Sequence, residues 1–286
     1  MPRVLVAGST GYLGRCVEEA CAARGWYVRE LALSPEKLAD RRDQIDEVVV
    51  GEVTRPETLT HVCDDIDVVF SSVGITRQRD GLTFRDVDYQ GNRNLLDGAL
   101  RAGVERFVYV SVFDGPRLRH LDIVDAHEAF VDELKASDLA YAVLRPTGYF
   151  SDMGTFLEMA RKGRVYLFGK GRNRTNPIHG ADLALACVEA MEGANREIEV
   201  GGPLIHSWRE IAELAFAAVG KPPKITCVPA WLMKAVVRGT RLFNRHQGEL
   251  LAFFTAMGTM DVTAPATGVR TLEEHFQSLA AEKAAG

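Results

Sequence analysis

The residues best placed to do chemistry stand at the start of the chain, where Gly8, Gly11 and Gly14 recur every third position. The apolar run Val4-Leu5-Val6-Ala7 before them has the length of a buried strand. Arg15-Cys16-Val17-Glu18-Glu19-Ala20-Cys21 after them reads as a helix. Strand, glycine turn and helix start in that order make an anion site, because the first turn of a helix has unpaired N–H groups and a partial positive charge. Gly8 would make the tight turn, Gly11 would let the backbone approach a pyrophosphate, and Gly14 would let helix and strand pack closely. Ser9, Thr10, Tyr12, Leu13 and Arg15 complete the candidate nucleotide turn.

The elements that must position this turn alternate. Apolar runs at Trp26–Leu33, Val48–Val50, Ile66–Phe70, Arg106–Val110 and Tyr141–Leu144 read as strands two to six, with helical segments between them. The clearest helix is Asn92 to Ala102, with Leu95, Leu96, Ala99 and Leu100 as its apolar stripe. Such alternation predicts an α/β fold, a doubly wound parallel sheet that binds ligands at the carboxyl ends of its strands. At the end of strand two, an acid would hold the ribose 2′-OH of NAD and a base the 2′-phosphate of NADP. Here Leu33-Ser34-Pro35-Glu36-Lys37 places no acid at the strand's end, and Ser34, Lys37 and Arg15 are candidates for a 2′-phosphate. The expected cofactor is NADP, with NAD as the alternative.

Asp88-Tyr89-Gln90-Gly91-Asn92-Arg93-Asn94-Leu95-Leu96 is similar to the NVxGTxNLL helix of the extended short-chain dehydrogenases. Arg106 to Phe113 resembles the strand that delivers their active-site serine. Leu144-Arg145-Pro146-Thr147-Gly148, Asn176 to Ala184 and Val200-Gly201-Gly202-Pro203 fit the atypical short-chain dehydrogenase/reductases related to the NmrA-like and isoflavone-reductase-like proteins. The resemblance runs from the first residue to about 225, more loosely beyond, and the GxxGxxG spacing belongs with it. It implies a Rossmann core over 1–148 and approximately 176–202, with a small substrate-side lobe over 149–175 and 203–286. It places Glu52, where the family carries Asp, and Val53 at the adenine, and Ser72, Val73 and Gly74 beneath the ribose. Ser111 stands at the active-site serine, Asp88 at the family's active-site Asn, and Pro146 on the cofactor side.

The family's usual chemistry needs a Tyr as general acid/base and, one helical turn on, a Lys that lowers its pKa and holds the ribose. Ile123 takes the Tyr position and His127 the Lys position. His127 then either replaces the lysine, binding ribose or relaying a proton, or is an exposed helical histidine beside Glu128. Some relatives reduce conjugated substrates without the Tyr, by direct hydride transfer with a pocket acid, and Tyr89, Ser111 and Asp88 are available for that. A literal YxxxK at Tyr166–Lys170 lies in a glycine-broken strand and turn, so its two side chains would share no helical face. His179 suits a structural hydrogen bond.

In the second lobe, Ser207-Trp208-Arg209-Glu210 has the spacing of a capping box and opens a helix ended by Gly220. After Pro229, the apolar residues Trp231, Leu232, Val236, Leu242 and Phe243 share a segment with Lys234, Arg238, Arg241 and Arg245. That segment is either a helix packed on its own core with a solvated basic face or one able to lie on an anionic membrane. A net charge of −5 gives no reason to expect nucleic acid, and five cysteines without a CxxC pair suit a reducing compartment and offer no metal site. The chain opens directly on a strand and has no apolar run of membrane-spanning length, so the expected place is the cytoplasm, as monomer or homodimer with a small-molecule partner. Three functions fit these expectations: an NADP-dependent oxidoreductase, a non-catalytic nucleotide sensor or assembly factor, or an epimerase or dehydratase.

Overall fold

The computed structural model describes residues 1–38, 45–74 and 81–285, the side chains of Pro35, Lys37 and 283–285 lying outside the description. In chain order the elements are β1 (Arg3–Ala7), α1 (Tyr12–Ala23), β2 (Tyr27–Ala32), β3 (Glu47–Val50), β4 (Val68–Ser71), α2 (Asn92–Ala102), β5 (Arg106–Val110), α3 (Asp122–Ala136) and β6 (Ala140–Pro146). They continue with α4 (Phe150–Arg161), β7 (Val165–Phe168), β8 (Arg174–Thr175), α5 (Gly180–Glu189), β9 (Arg196–Val200), β10 (His206–Ser207), α6 (Trp208–Ala218), β11 (Ile225–Val228), α7 (Ala230–Phe243), α8 (Arg245–Thr259) and α9 (Leu272–Ala285).

Seven strands form one parallel sheet in the order β3-β2-β1-β4-β5-β6-β9, the doubly wound arrangement the alternation predicts. Strand β1 lies inside it, between β2 and β4, and Val4 to Ala7 are wholly buried because a parallel sheet is covered on both faces. One face packs Leu5, Val69, Phe107, Tyr109 and Val143 against Leu95, Leu96 and Ala99 of α2 and Phe130 and Leu134 of α3. Leu100 does not belong to that stripe: it is 40% exposed, since it falls one step around the helix from Ala99. Gly103, in the left-handed conformation, ends α2.

The chain divides into two compact units, Met1–Arg145 with Leu183–Ile198, and Pro146–Asp182 with Glu199–Gly286. The second unit has its own core, where Phe150, Met153 and Leu157 of α4 pack with Ile211 and Phe216 of α6 and Phe276 of α9. Its helix α6 opens with the capping box, Ser207 accepting from the Glu210 N–H and Glu210 from the Ser207 N–H. Among the described residues no helix is long and apolar enough to cross a membrane.

Candidate functional site

At the end of β1 the chain turns on Gly8, whose φ of +91° a side chain would resist. The Gly11 N–H donates to the Gly8 carbonyl at 2.9 Å, closing the turn. A Cβ on Gly14 would lie 2.2 Å from that carbonyl oxygen, so α1 approaches the turn as closely as backbone allows. Gly11 is the N-cap of α1 and makes no side-chain cap, the arrangement in which a helix N-terminus takes up an anion. These features fit a pyrophosphate. Gly11 and Thr10 are exposed, Tyr12 and Arg15 half-buried, and Leu13 is anchored in the core. Ser9 is buried and donates its hydroxyl to the Leu31 carbonyl at 3.3 Å, tying the turn to β2.

Behind the turn sits a group that sequence reasoning did not single out. Glu30, in the middle of β2, is fully buried. Burial pushes its carboxyl up to about 7, against the opposing pull of a hydrogen bond from Ser9 and the charge of Arg15. The signal was an acid inside an apolar strand. At the end of β2, Leu33 is exposed and Ser34 half-buried, and no acid stands there. The Lys37 side chain and the 75–80 segment, which includes Ile75 and Thr76, lie outside the description.

After β3, the Glu52 carboxylate accepts from Thr54 Oγ1 at 2.7 Å and pairs with Arg55 Nε at 3.0 Å. Val53 is held by its carbonyl, which accepts from Asn94 Nδ2 at 2.8 Å. After β4, Ser72 lies against Gly8, where an added Cβ would meet its Oγ at 2.7 Å. The Val73 carbonyl accepts from Asn92 Nδ2 at 3.2 Å. Asn92 is a hub, for its Nδ2 also donates to the Asp88 carbonyl at 2.7 Å and its Oδ1 accepts from Ser71 Oγ at 2.5 Å.

Asp88 belongs to a π-helical turn, Arg85–Gly91, a wide turn that recurs at functional sites. It is fully buried, and its Oδ1 lies 3.1 Å from His127 Nε2 on α3. The other ring nitrogen, Nδ1, is 2.5 Å from the Tyr109 hydroxyl on β5. With Nε2 protonated towards the Asp88 carboxylate, Nδ1 would accept from the Tyr109 hydroxyl. Both nitrogens of His127 are thus engaged, and its side chain is 12% exposed, which corrects the reading of an exposed helical histidine. Gly74 covers this pair, a Cβ there falling 3.3 Å from Asp88 Oδ1 and 3.7 Å from His127 Nε2.

The four candidate catalytic residues therefore divide. Asp88 and His127 meet, and Tyr109 joins them. Tyr89 turns elsewhere, donating to Glu133 Oε1 at 3.2 Å beneath the Arg85 guanidinium, 4.7 Å from its ring centre. Ser111 donates to Glu128 Oε1 at 2.7 Å, and that buried carboxylate pairs with Arg145 through both its oxygens. Arg145 also reaches Glu197 at 2.9 Å. Ile123, at the position of the family's tyrosine, is buried. Pro146 closes β6 and is buried.

The second unit holds a cavity of about 330 Å³ lined by Phe156, Met159, Tyr166, Trp208 and Met257, with Asp152 among them. Trp208 stacks on Phe156 at 5.8 Å, and its buried Nε1–H finds no hydrogen-bond partner among the described residues. Asp152 is accessible to water yet crowded by protein, and this burial raises its carboxyl above the usual range. Tyr166 is on strand β7 and the turn after it passes through Gly169 at φ +64°, so Tyr166 and Lys170 share no helical face. His179 Nδ1 accepts from the Ala181 N–H at 3.1 Å, and its ring lies edge-on to Phe150 and His275. Among the described residues no three His, Cys, Asp or Glu side chains gather where a metal could sit.

A doubly wound sheet with an open glycine turn at the head of its first helix defines a dinucleotide-binding protein. The chain belongs to the NAD(P)H-binding family, whose profile matches residues 8–194, in agreement with the resemblance to the atypical short-chain dehydrogenase/reductases. It is 28% identical to the photosystem II assembly factor Ycf39 of Synechocystis, over 88% of this chain and 78% of that one. It is also 28% identical to the divinyl chlorophyllide a 8-vinyl-reductase of Zea mays, over 99% of this chain and 80% of that one. The NADPH-dependent quinone oxidoreductase of Escherichia coli, solved with NADPH, shares the fold at a TM-score of 0.77 and 18% identity, covering 96% of this chain and 99% of that one.

Proposed function

We propose that the chain is an NADP(H)-dependent reductase acting on a small, apolar, conjugated organic substrate of the quinone or enone class. The observation that carries this reading is the cavity of the second unit, whose walls are mainly aromatic and thioether side chains, with the Trp208 indole and Asp152 as their polar members. Its size suits a small ligand, and an apolar wall with few polar groups is how such ligands are held. A carbonyl oxygen bound to Trp208 would relieve the unmade hydrogen bond, while Asp152 keeps its proton to higher pH than an ordinary carboxyl. When bound, the nicotinamide supplies a hydride. Arg15 and Ser34 favour the 2′-phosphate of NADP, since no acid closes β2 against it. The names of two relatives, a quinone oxidoreductase and a vinyl-reductase, support the same substrate chemistry.

A second reading, a protein that holds the nucleotide without turning it over, has its own support. His127 has both nitrogens engaged, Ser111 is held by Glu128, and Ile123 offers no hydroxyl. A relative named as an assembly factor favours it too. Calorimetry with NADPH, NADP+, NADH and NAD+, followed by NADPH oxidation against quinones, enones and aldehydes, separates the two. Selective NADPH binding with turnover, and a Trp208→Phe variant whose kcat/KM for quinones falls, supports the reductase. Tight binding indifferent to redox state, with no turnover across the panel, supports the holder.

A further inference from the structure

Helix α7 is built the wrong way round for a surface helix. Only Met233 and Val237 are buried, against the rest of the second unit, where α7 packs chiefly on α8. At about 100° per residue, Trp231, Leu242, Ala235, Leu232, Phe243 and Val236 fill one unbroken arc opposite those two, and no charged residue falls inside it. These side chains face solvent: Trp231 is 71% exposed, Leu242 81% and Phe243 93%. An ordinary solvated face would carry the cations there instead.

The cations border the arc. Lys234 and Arg238 follow one edge, both exposed, and Arg241 lies further round, held by Glu249 at 2.8 Å. From Lys221 to Gly248 the chain carries six Lys and Arg and no Asp or Glu, although its formal net charge is −5. The local charge is therefore opposite in sign to that of the whole chain.

We propose that α7 docks in the plane of an anionic bilayer surface, its apolar arc among the acyl chains and Lys234 and Arg238 at the lipid phosphates. A helix with one wholly apolar face and a cationic border is the arrangement that such a surface accepts. A protein partner fits less well. Fourteen residues make a helix of about 21 Å, and a strip some 10 Å wide offers about 200 Å², a fraction of the roughly 800 Å² a stable protein interface buries on each side. A second copy would also set this acid-free border against itself.

Flotation of the full chain with vesicles of phosphatidylcholine alone, and of phosphatidylcholine mixed with phosphatidylglycerol, tests the proposal. The chain should float with the mixed vesicles, lose most of that binding in high salt, and show a blue shift of Trp231 emission that Trp231→Phe removes. Lys234→Glu with Arg238→Glu should lower the partition coefficient by about thirtyfold or more, at about fivefold for each cation lost. Leu242→Glu with Phe243→Glu should abolish flotation, and because both side chains are already in water its circular dichroism should match the parent. Equal binding to both vesicle types, or none, overturns the proposal. So does a parent dimer, seen by light scattering, that the Leu242/Phe243 variant converts to monomer without any vesicle binding.

Discussion

Replacing Glu30 with Gln should remove a pH dependence that the buried acid imposes on folding. Glu30 pairs in register with Val6 on one side and Val48 on the other, fully buried behind the nucleotide turn. Its carboxyl is raised from 4.5 to about 7. Below pH 4.5 both folded and unfolded chains hold the proton, so the group is neutral to stability there. Between 4.5 and 7 the unfolded chain releases the proton while the folded chain keeps it, and stability falls as pH rises. Above about 7 both states are ionised and the loss levels off. A gap of about 2.5 in pKa at about 1.4 kcal/mol per unit makes the loss about 3 kcal/mol at most. Glu30→Gln keeps the shape and the acceptor for Ser9 but cannot ionise. Urea unfolding of both chains between pH 4 and 8.5 should therefore show the variant gaining on the parent up to pH 7 and then holding a constant lead. A second reading on the same samples follows from the geometry. The ionised carboxylate behind the turn repels a pyrophosphate, so the parent should lose NADPH affinity relative to the variant as pH passes 7. A stability difference that stays flat from pH 4 to 8.5, or that turns in favour of the parent, refutes this account of Glu30.

Three further outcomes follow from the structure. Gly14→Ala would set a Cβ 2.2 Å from the Gly8 carbonyl oxygen, so α1 must shift from the turn; NADPH affinity by calorimetry should fall by about a hundredfold or more, and an unchanged Kd would sink the pyrophosphate assignment. Arg145→Met should destabilise the chain by about 3–5 kcal/mol, because it strands the buried Glu128 carboxylate, and adding Glu128→Met should recover much of that loss in denaturant unfolding. His127→Ala should cost about 2–4 kcal/mol, since it removes the buried ring that meets both Asp88 and the Tyr109 hydroxyl, and an unchanged Tm would show that the three do not act as a unit.

Much of the nucleotide side was legible in the sequence because it rests on local rules. Three glycines at fixed spacing between an apolar run and a helix admit few geometries, and buried parallel strands announce themselves as apolar runs. The strand ends shift by a residue or two, as at β6, which extends through Pro146. The Asp88–His127–Tyr109 constellation was only partly legible, since it joins three elements distant in sequence. Asp88 and Asn92, four apart, share a buried side as on any helix, whereas nothing in the residue order reveals the π-helical turn to which Asp88 belongs. Tyr109 alternates with Phe107 along β5 and so reads as core, which it is. Only the need of a buried hydroxyl for a partner hinted at more. Nothing in the residue order marks Glu128 as buried, yet it is, paired with Arg145 of β6.

The missing tyrosine bears unequally on the reactions this fold supports. Oxidising an alcohol, or epimerising one through a ketone, requires a base to take the hydroxyl proton as the C–H bond breaks, and Ile123 leaves α3 with none at that position. His127 is already occupied, with the Tyr109 hydroxyl at one ring nitrogen and Asp88 beside the other. Reduction of an electron-poor conjugated carbon makes a smaller demand, since the negative charge that develops is spread onto a carbonyl oxygen. On the proposed reading, Trp208 would hold that oxygen until a proton arrives from Asp152 or water. The reactivity should therefore be lopsided. Quinones or enones should be reduced at rates that alcohols of similar shape never approach in the oxidising direction, and His127→Gln should change both far less than Trp208→Phe changes the first. An alcohol oxidised as fast as a quinone is reduced would mean that a base exists which this arrangement does not contain.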